Sequence, residues 1–287
     1  MLQIIAYIKF LLQSQNQHGL HSPFVYDLVS ECFYDKKKYT EYKTLKEFRK
    51  DLLRNEEEIT VTDFGAGSRV FKSDRRKVKE IARHVGISEK RARFLFRLVN
   101  YLICRNVLEL GTSLGIGTSA LAANRSTMVT SIEGCPETAR IARQQFQKFG
   151  LENIELRVGQ FENVLEEIIG AENIPEEKWK VESGERIEKR QEKRDKRKET
   201  PNRKFDLVYF DGNHQKEATL SYFHQLLPAA HNDSVFIFDD IHWSPGMEEA
   251  WEVIKKHPSV KVSIDTFHLG LVFFRREQVK QHFKIRL

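Results

Sequence analysis

Carboxylates follow two apolar segments in the second half of the chain, at the point where each segment ends. The segments are Phe205–Asp211 and Ser234–Asp240, and the acids at their ends are Asp211, Asp239 and Asp240. In an open parallel sheet, ligands bind beyond the carboxyl ends of the strands, where these three side chains would converge. Neighbouring carboxylates repel each other unless they are protonated or bound to a cation, and hard oxygen ligands suit Mg²⁺, Mn²⁺ or Ca²⁺. The pattern predicts a divalent-cation site, and helix caps or ordinary strand-end acids are the alternative explanation.

Three glycines mark a second site earlier in the chain. The apolar run 107–110 has the length of a buried strand, Gly111, Gly115 and Gly117 follow it, and 119–123 has helical composition. Glycines let the backbone come close to a ligand, and free N–H groups at a helix start favour polar or anionic atoms. The loop has neither the Gly-Lys-Ser/Thr ending of a P-loop nor the G-x-G-x-x-G spacing of a dinucleotide site. The alternative is a glycine turn with only a packing role.

The spacing acid-x-Gly-x-x-x-Gly-x-Gly, led by Glu109, resembles the first motif of class I S-adenosylmethionine-dependent methyltransferases. A second acid supports the resemblance. Glu133 ends the run Met128–Ile132, roughly twenty residues further on, where an acidic side chain at a strand end can accept both hydroxyls of a ribose. The resemblance implies that S-adenosylmethionine is the cofactor.

Five segments between residues 106 and 250 extend the resemblance to the catechol O-methyltransferase-like, cation-dependent branch: ELGTSLGIGTSALA, TSIEGCPETARIA, LRVGQFENV, FDLVYFDGNH and FIFDDIHWSPGM. In that branch an aspartate after the fourth strand and an Asp-Asp or Asp-Asn pair after the fifth hold the metal, here Asp211, Asp239 and Asp240, with Mg²⁺ as the expected ion. The cofactor-binding residues that the resemblance implies are Glu109, Gly111, Ser113, Gly115, Gly117, Glu133, Gly134, Gln160 and Asp211.

The general base departs from the pattern of that branch. Its lysine, three residues after the first aspartate, is replaced here by His214. A histidine can serve as a base near neutral pH, but the change argues against a catechol as the substrate. His242 and Trp243 are expected to border the acceptor pocket.

The predicted function is O-methylation of a small-molecule acceptor, assisted by a divalent cation. Methyl transfer is an in-line displacement at the carbon of a sulfonium, so the site must align donor and acceptor and exclude water. Two alternatives remain open: a metal-independent methyltransferase acting on a nitrogen or sulfur acceptor, and a helix-turn-helix binding protein that uses the cofactor only as a ligand. Neither nucleic acid nor a membrane is expected as a partner, and the sequence is compatible with a homo-oligomer.

Residues 78–102 contain a pattern that favours the alternative function, DNA binding. Val78–Ser88, followed by Ala92 and Leu95, resembles a helix-turn-helix in basic surroundings. Between residues 34 and 105 there are 20 Lys and Arg against 11 Asp and Glu, whereas from residue 106 onward there are 26 against 28. The segment Phe94–Ile103, however, is strongly apolar. A helix of this composition packs against a hydrophobic core, which argues against DNA binding. We therefore expect a helical lid over the cofactor site.

The sequence predicts an α/β fold, with a helical N-terminal region over 1–105 and a cofactor-binding domain over 106–287. The domain is a Rossmann-like, seven-stranded, mostly parallel sheet with helices on both faces and an antiparallel last strand. Its predicted strands are 107–110, 127–133, 154–158, 205–211, 234–240, 260–265 and 270–275, and its predicted helices are 119–123, 136–149, 161–169 and 247–256. A charged insertion, 171–204, interrupts it and is predicted to be a solvated helix or disordered.

The N-terminal region is predicted to hold two short helices within 2–33, a charged helix within 34–58, and a flexible loop at Val61–Ser68 that closes over a ligand. The three cysteines have no CxxC spacing, which argues against a disulfide framework or a zinc site. No apolar run reaches transmembrane length, and the N-terminal apolar run lacks the features of a signal peptide. A cytoplasmic protein is the resulting prediction.

Overall fold

The N-terminal region forms five helices and a small hairpin in the computed structural model, which describes residues 2–62, 73–170 and 203–287. The helices are α1 Leu2–Gln13, α2 Pro23–Leu28, α3 Glu41–Leu52, α4 Val78–His84 and α5 Glu89–Tyr101. The antiparallel hairpin consists of β1 Glu58–Thr60 and β2 Arg75–Lys77. A π-helical turn at Val29–Phe33 continues α2. The two short helices predicted within 2–33 are therefore confirmed.

The charged helix predicted within 34–58 is shorter than expected. The helix ends at Leu52, and the side chain of Asn55 accepts a hydrogen bond of 2.8 Å from the backbone N–H of Glu57, which turns the chain before β1 begins. Of the predicted loop Val61–Ser68, only the first two residues lie within the described part of the chain. The predicted insertion at 171–204 likewise lies outside the described residues, apart from its last two.

The central sheet has eight strands, in the spatial order β10-β8-β9-β7-β6-β3-β4-β5. The strands are β3 Asn106–Leu110, β4 Met128–Glu133, β5 Ile154–Val158, β6 Leu207–Phe210, β7 Val235–Asp239, β8 Val262–Asp265, β9 Leu269–Phe273 and β10 Gln281–Lys284. The helices among them are α6 Ile116–Leu121, α7 Pro136–Lys148, α8 Phe161–Ile169, α9 Lys216–Leu226 and α10 Pro245–Lys256. This mostly parallel α/β sheet confirms the predicted fold class.

The far edge of the sheet differs from the prediction by one strand. β9 is antiparallel to both of its neighbours, as predicted, because a short turn after β8 can reverse the chain but cannot cross over it. The additional strand, β10, pairs in parallel with β8, so that Phe283 lies opposite Ile264. The sheet therefore has eight strands and not seven.

Alternate residues of the central strands face two separate hydrophobic clusters. On β7, Val235 and Ile237 belong to the cluster that includes the N-terminal helices and α6, whereas Phe236 and Phe238 belong to the cluster formed with α8, α9 and α10. Because both faces are covered, these strands are continuous apolar runs, as parallel strands commonly are. The carboxyl ends of β3, β4, β6 and β7 consequently meet at one edge.

Helix α5 packs into the first of these clusters on most of its surface. Its buried residues are Ala92, Phe94, Leu95, Phe96, Leu98 and Val99. Arg97 fixes the helix to the turn after α2 by donating hydrogen bonds to the carbonyl oxygens of Cys32 (2.8 Å) and Phe33 (3.2 Å). A helix that is buried in this way has little surface left to enter a DNA groove.

Residues from both sides of the predicted boundary at 105/106 belong to the same hydrophobic cluster, for example Leu95 of α5 and Ile116 of α6. The division into two domains stays a prediction. Among the described residues, no helix combines the length and the apolar composition that crossing a membrane requires.

We predict that Leu95→Ala destabilises the whole protein by about 2–5 kcal/mol, because it removes fully buried methyl groups and leaves a cavity where α5 meets the core. Chemical denaturation followed by circular dichroism measures this. The matched control Val279→Ala, at a side chain that is 70% exposed, should change the free energy of unfolding by less than about 0.5 kcal/mol. A separate early transition in Leu95→Ala, with the main transition unchanged, would contradict a shared core.

Candidate active site

A cavity of about 1100 Å³ opens between the carboxyl edge of the sheet and the helices α4 and α5. Ligand pockets in proteins are commonly about 300–1,000 Å³, so this space suits a cofactor together with a second molecule. The predicted residues that line it are Gly111, Ser113, Gly117, Glu133, Gly134, Gln160, Asp211, His214, Asp239 and Asp240. The structure therefore brings the two sites predicted from separate segments into one cavity.

The glycine loop approaches the neighbouring strand at backbone distance. Gly111 has a φ of +104°, and a Cβ atom there would lie 2.4 Å from the carbonyl oxygen of Asp211, so no other residue fits. Gly115, with a φ of +82°, begins α6, and its Cβ would lie 2.5 Å from the ring of Phe146. Gly115 does not line the cavity, and its position is explained by the turn and by this packing.

Glu109 lies beneath the cavity and is fully buried. One carboxylate oxygen, Oε2, accepts hydrogen bonds from the hydroxyls of Thr118 and Ser131, the latter at 2.5 Å. The other, Oε1, has no hydrogen-bond partner among the described residues, and a Cβ at Gly117 would come within 2.8 Å of it. Burial raises the pKa of Glu109 to about 7, against the opposing effect of the two hydroxyls. A buried acceptor without a partner calls for a donor from a ligand.

Glu133 is held rigidly at the end of β4. Its two carboxylate oxygens accept hydrogen bonds from the backbone N–H groups of Ser113 (2.6 Å) and Cys135 (2.9 Å). Burial raises its pKa, and these backbone hydrogen bonds oppose the rise. Each carboxylate oxygen retains a further lone pair, so this side chain can still accept hydroxyl groups of a ligand. Gly134 and Gln160 line the cavity on either side of it.

The three predicted metal ligands line the same cavity, and a Cβ atom at Gly117 of the glycine loop would lie 4.0 Å from Oδ2 of Asp211. Burial raises the pKa of Asp211 well above its usual range, and the charge of Asp239 and a hydrogen bond to it raise it further. Burial and the charge of Asp239 also raise the pKa of Asp240 to about 6. Asp240 sits in the left-handed region, with a φ of 51°, a conformation that a non-glycine residue adopts at some energetic cost.

A guanidinium group from the N-terminal region lies against this pair of aspartates. Nη1 of Arg91, near the start of α5, is 3.4 Å from both carboxylate oxygens of Asp239, and Nη2 is 3.9 Å from Oδ1 of Asp240. Across residues 2–62, 73–170 and 203–287, no three Asp, Glu, His or Cys side chains are arranged to hold a metal ion. Arg91 therefore places a positive charge beside these carboxylates.

The loop that carries His214 is fixed on its neighbours. The side-chain amide of Asn213 donates to the hydroxyl of Tyr222 (3.2 Å), which itself donates to Glu162 (2.6 Å). The His214 ring lines the cavity near Asp240, and it makes no hydrogen bond to any described residue. Its imidazole is available to a ligand in the cavity.

His242 is committed to structural partners. Its Nδ1 lies 2.9 Å from Oε1 of Glu248, its Nε2 lies 3.1 Å from Oδ2 of Asp265, and its ring stacks on Phe267 at 5.2 Å between centroids. Burial alone would lower the pKa of His242, but the hydrogen bonds and charges of the two acids outweigh it and raise the pKa. His242 thus forms a wall of the cavity together with Trp243, as predicted from the sequence.

Several lining residues were not predicted from the sequence, among them Arg91, Phe267 and His268. The excess of basic residues between 34 and 105 was the available signal for Arg91, but it does not indicate which residue reaches the site. Phe267 has a φ of 75°, an unusual conformation for a bulky residue, and no sequence pattern reveals it.

Comparison with known proteins places this site in a recognised fold. Residues 108–241 match the model of a family described as a methyltransferase domain. The chain is similar to the O-methyltransferase of Bacillus cereus in complex with S-adenosylhomocysteine, with 18% identity, 85% of this chain and 95% of that chain covered, and a TM-score of 0.51. No curated protein matches the sequence.

Two further solved structures give the same result. TomG of Streptomyces achromogenes, an O-methyltransferase of tomaymycin synthesis in complex with S-adenosylmethionine, has 14% identity, 83% and 91% coverage and a TM-score of 0.52. The S-adenosylhomocysteine-bound methyltransferase PaMTH1 of Podospora anserina has 12% identity, 89% and 97% coverage and a TM-score of 0.54. At these identities the likeness concerns the fold.

We predict that Glu109 makes the cofactor-free protein less stable as the pH rises from 4.5 to about 7. The folded state keeps a proton on Glu109, with a pKa of about 7, that the unfolded chain releases near pH 4.5. The stabilisation is therefore fully present below pH 4.5, and about 3 kcal/mol of it is lost by pH 7. Glu109→Gln should lack this component when urea denaturation is measured from pH 4.5 to 8.

The exposed Glu152→Gln variant is the control for this comparison, and it should keep the pH dependence of the wild type. If Glu109→Gln also kept the wild-type slope, the carboxyl of Glu109 would be ionised in the folded protein and the assignment of its proton would be wrong.

Proposed function

We propose that this chain, a class I S-adenosylmethionine-dependent methyltransferase, methylates an oxygen atom of a small-molecule acceptor. The family match and the fold confirm the enzyme class predicted from the sequence. The observation that carries the proposal is that Glu133 and the glycine loop share one cavity with His214 and the aspartates. A cofactor held by the first group would present its reactive end to the second.

The residues of the cofactor half fit S-adenosylmethionine. The unpartnered Oε1 of Glu109 suits an ammonium group, the anchored carboxylate of Glu133 suits a pair of ribose hydroxyls, and Gly111 and Gly117 leave the loop open for close approach. When bound, this cofactor supplies a methyl group whose bond to the sulfonium sulfur breaks as the bond to the acceptor oxygen forms, the electron pair staying on sulfur.

His214 is proposed to take the proton of the acceptor hydroxyl. An imidazole can accept a proton near neutral pH, and this ring lines the cavity without a hydrogen bond to any described residue. Trp243 and Phe267 provide apolar surface on the same side of the cavity, which would position the acceptor and exclude water. The position of His214 inside a cavity of about 1100 Å³ supports a small molecule as the acceptor.

The predicted divalent cation is a separate part of the proposal. Carboxylate oxygens of Asp211, Asp239 and Asp240 are of the type that Mg²⁺ prefers. As arranged here, these side chains do not fit a metal ion. Among the described residues no three Asp, Glu, His or Cys side chains are arranged to hold one, and Arg91 lies against Asp239 and Asp240. The screen below, run with and without Mg²⁺, tests the cation assistance that the sequence predicts.

The alternative functions differ in what they require of the cavity. A thiol acceptor is more acidic than an alcohol, and an amine can react through its unprotonated form, so neither depends on a general base such as His214 as strongly as an alcohol does. A helix-turn-helix protein would need an exposed recognition helix, whereas α5 is buried by Phe94, Leu95 and Leu98 among others. These features support the O-methyltransferase. Four further expectations stay predictions: no nucleic-acid partner, no membrane partner, a homo-oligomer and a cytoplasmic location.

We predict that Glu133→Gln weakens binding of S-adenosylhomocysteine about 10-fold or more, because a charge-assisted hydrogen bond to a hydroxyl contributes about 1.5–3 kcal/mol. Isothermal titration calorimetry gives the Kd directly. Glu152→Gln, on the surface beyond α7, serves as the matched control and should bind like the wild type. Equal affinity in Glu133→Gln and wild type would remove Glu133 from the cofactor site, and binding of NAD in place of S-adenosylhomocysteine would end the methyltransferase proposal.

For the reaction itself, we predict transfer of a labelled methyl group to an oxygen of at least one compound in a metabolite screen, run with and without Mg²⁺. With that acceptor, His214→Gln should lower kcat by about 10²–10⁴-fold and leave S-adenosylhomocysteine affinity unchanged, because it removes only the base. The exposed His18→Gln is the control. Label recovered exclusively on nitrogen or sulfur would contradict the O-methyltransferase.

A further inference from the structure

Arg91 is the residue that connects the helical region to the chemistry of the site. It is separated from Asp239 by 148 residues in sequence, yet its Nη1 contacts both oxygens of that carboxylate. The side chain of Asp239 is only 5% exposed, so its charge has almost no compensation from solvent. A buried carboxylate requires compensation for its charge. Asp239 accepts a hydrogen bond of 3.0 Å from the backbone N–H of Asp240 and shares one with Asp211, and the cationic side chain that pairs with it among the described residues is Arg91.

The position of Arg91 is fixed by its helix. Its backbone N–H donates to the side chain of Ser88 (3.3 Å), the residue that caps the start of α5. One turn and a half further on, Arg97 fastens the same helix to the carbonyl oxygens that follow α2. The guanidinium is therefore delivered by a rigid element, as a metal ion would be held by rigid ligands.

The guanidinium also has donors to spare. It carries five N–H groups, and the contacts to Asp239 engage Nη1 alone, while Nη2 is 3.9 Å from Asp240, beyond hydrogen-bond distance. Arg91 lines the cavity, as does His214. Both side chains interact electrostatically with Asp240, so both lie near that carboxylate. An acceptor oxygen at His214 can therefore approach N–H groups of Arg91 that no described carboxylate accepts.

We infer that the Arg91 guanidinium takes the place of the divalent cation in this site: it neutralises Asp239 and Asp240 and donates hydrogen bonds to the acceptor oxygen. The inference has two halves. The catalytic half, the hydrogen bonds to the acceptor oxygen, rests on the methyltransferase function proposed above. The electrostatic half, the neutralisation of the two aspartates, rests on the contacts alone.

This assignment also restricts the class of acceptor. A divalent ion bonds directly to an oxygen and lowers its pKa strongly, whereas a guanidinium has a single charge and acts only through hydrogen bonds. The acceptor should then be an oxygen that is acidic on its own, as in a phenol or a carboxylic acid, and not an aliphatic alcohol. The planar fork of a guanidinium suits both anions.

The electrostatic half is tested by metal titration without any acceptor. Mn²⁺ should leave the melting temperature of the wild type unchanged. In Arg91→Ala, the freed carboxylates should bind Mn²⁺ and raise the melting temperature by about 5 °C at 100 times Kd, and adding Asp239→Asn should abolish the rise. Arg93→Ala, which removes a guanidinium of the same helix outside the cavity, should behave like the wild type.

Two outcomes would overturn the inference. One is a wild type that binds Mn²⁺ with a rise that Asp239→Asn removes, because the carboxylates would then hold a metal despite Arg91. The other is an Arg91→Ala variant that binds no Mn²⁺, because the carboxylates would then be no cation site. The wild-type titration does not depend on whether Arg91→Ala folds. Arg91→Lys keeps the positive charge, so it should remain folded and its melting temperature should not change with Mn²⁺.

The catalytic half uses the acceptor identified by the screen. The wild-type rate should be unaffected by EDTA, and Arg91→Gln should lower kcat by about 10²–10³-fold, the effect of removing one donor to a developing anion. Loss of activity in EDTA, restored by Mg²⁺, would overturn the inference and leave the methyltransferase intact. Failure to bind S-adenosylhomocysteine would instead count against the proposed function, and the Mn²⁺ titration would still decide the role of Arg91.

Discussion

Negative charge crowded at the carboxyl edge of the sheet is the constraint on which the rest of the site depends. Glu109, Asp211 and Asp239 come from neighbouring strand ends, and two like charges 4 Å apart repel by about 4 kcal/mol at an effective dielectric constant of about 20. Burial raises the pKa of the first two, which favours their neutral forms, and the guanidinium of Arg91 lies beside the third. The N-terminal helices thus contribute a charged side chain to the cavity.

The parts of this arrangement that follow from local constraints could be predicted from the sequence. The turn at Gly111 has a positive φ and no room for a Cβ, so this position requires a glycine, and a glycine at this position in the sequence indicates the turn. Glu133 ends an apolar run at a fixed interval from that turn, and strand ends of a parallel sheet share one edge. Continuous apolar runs such as β7 give fully buried strands their signature. These features allow the sequence to predict that Gly111 and Glu133 line one cavity, which the structure shows.

The parts that depend on contacts distant in sequence could not be predicted. Arg91 was one of many basic residues in its region, and nothing local separates it from Arg93, which pairs with Glu89 outside the cavity. Strand β10 was missed because it lies at the sheet edge, where Phe283 is its one apolar side chain. The metal hypothesis was drawn from the types of three side chains, and charge compensation by a fourth residue, from a helix, is invisible at that level.

A crystal structure of the S-adenosylhomocysteine complex, grown in MnCl₂ and measured at the manganese absorption edge, tests the central claim most directly. We expect the ribose hydroxyls to donate hydrogen bonds to Glu133, the guanidinium of Arg91 to contact Asp239, and no anomalous peak to appear at the aspartates. An anomalous peak between Asp211, Asp239 and Asp240, with Arg91 displaced from them, would contradict it.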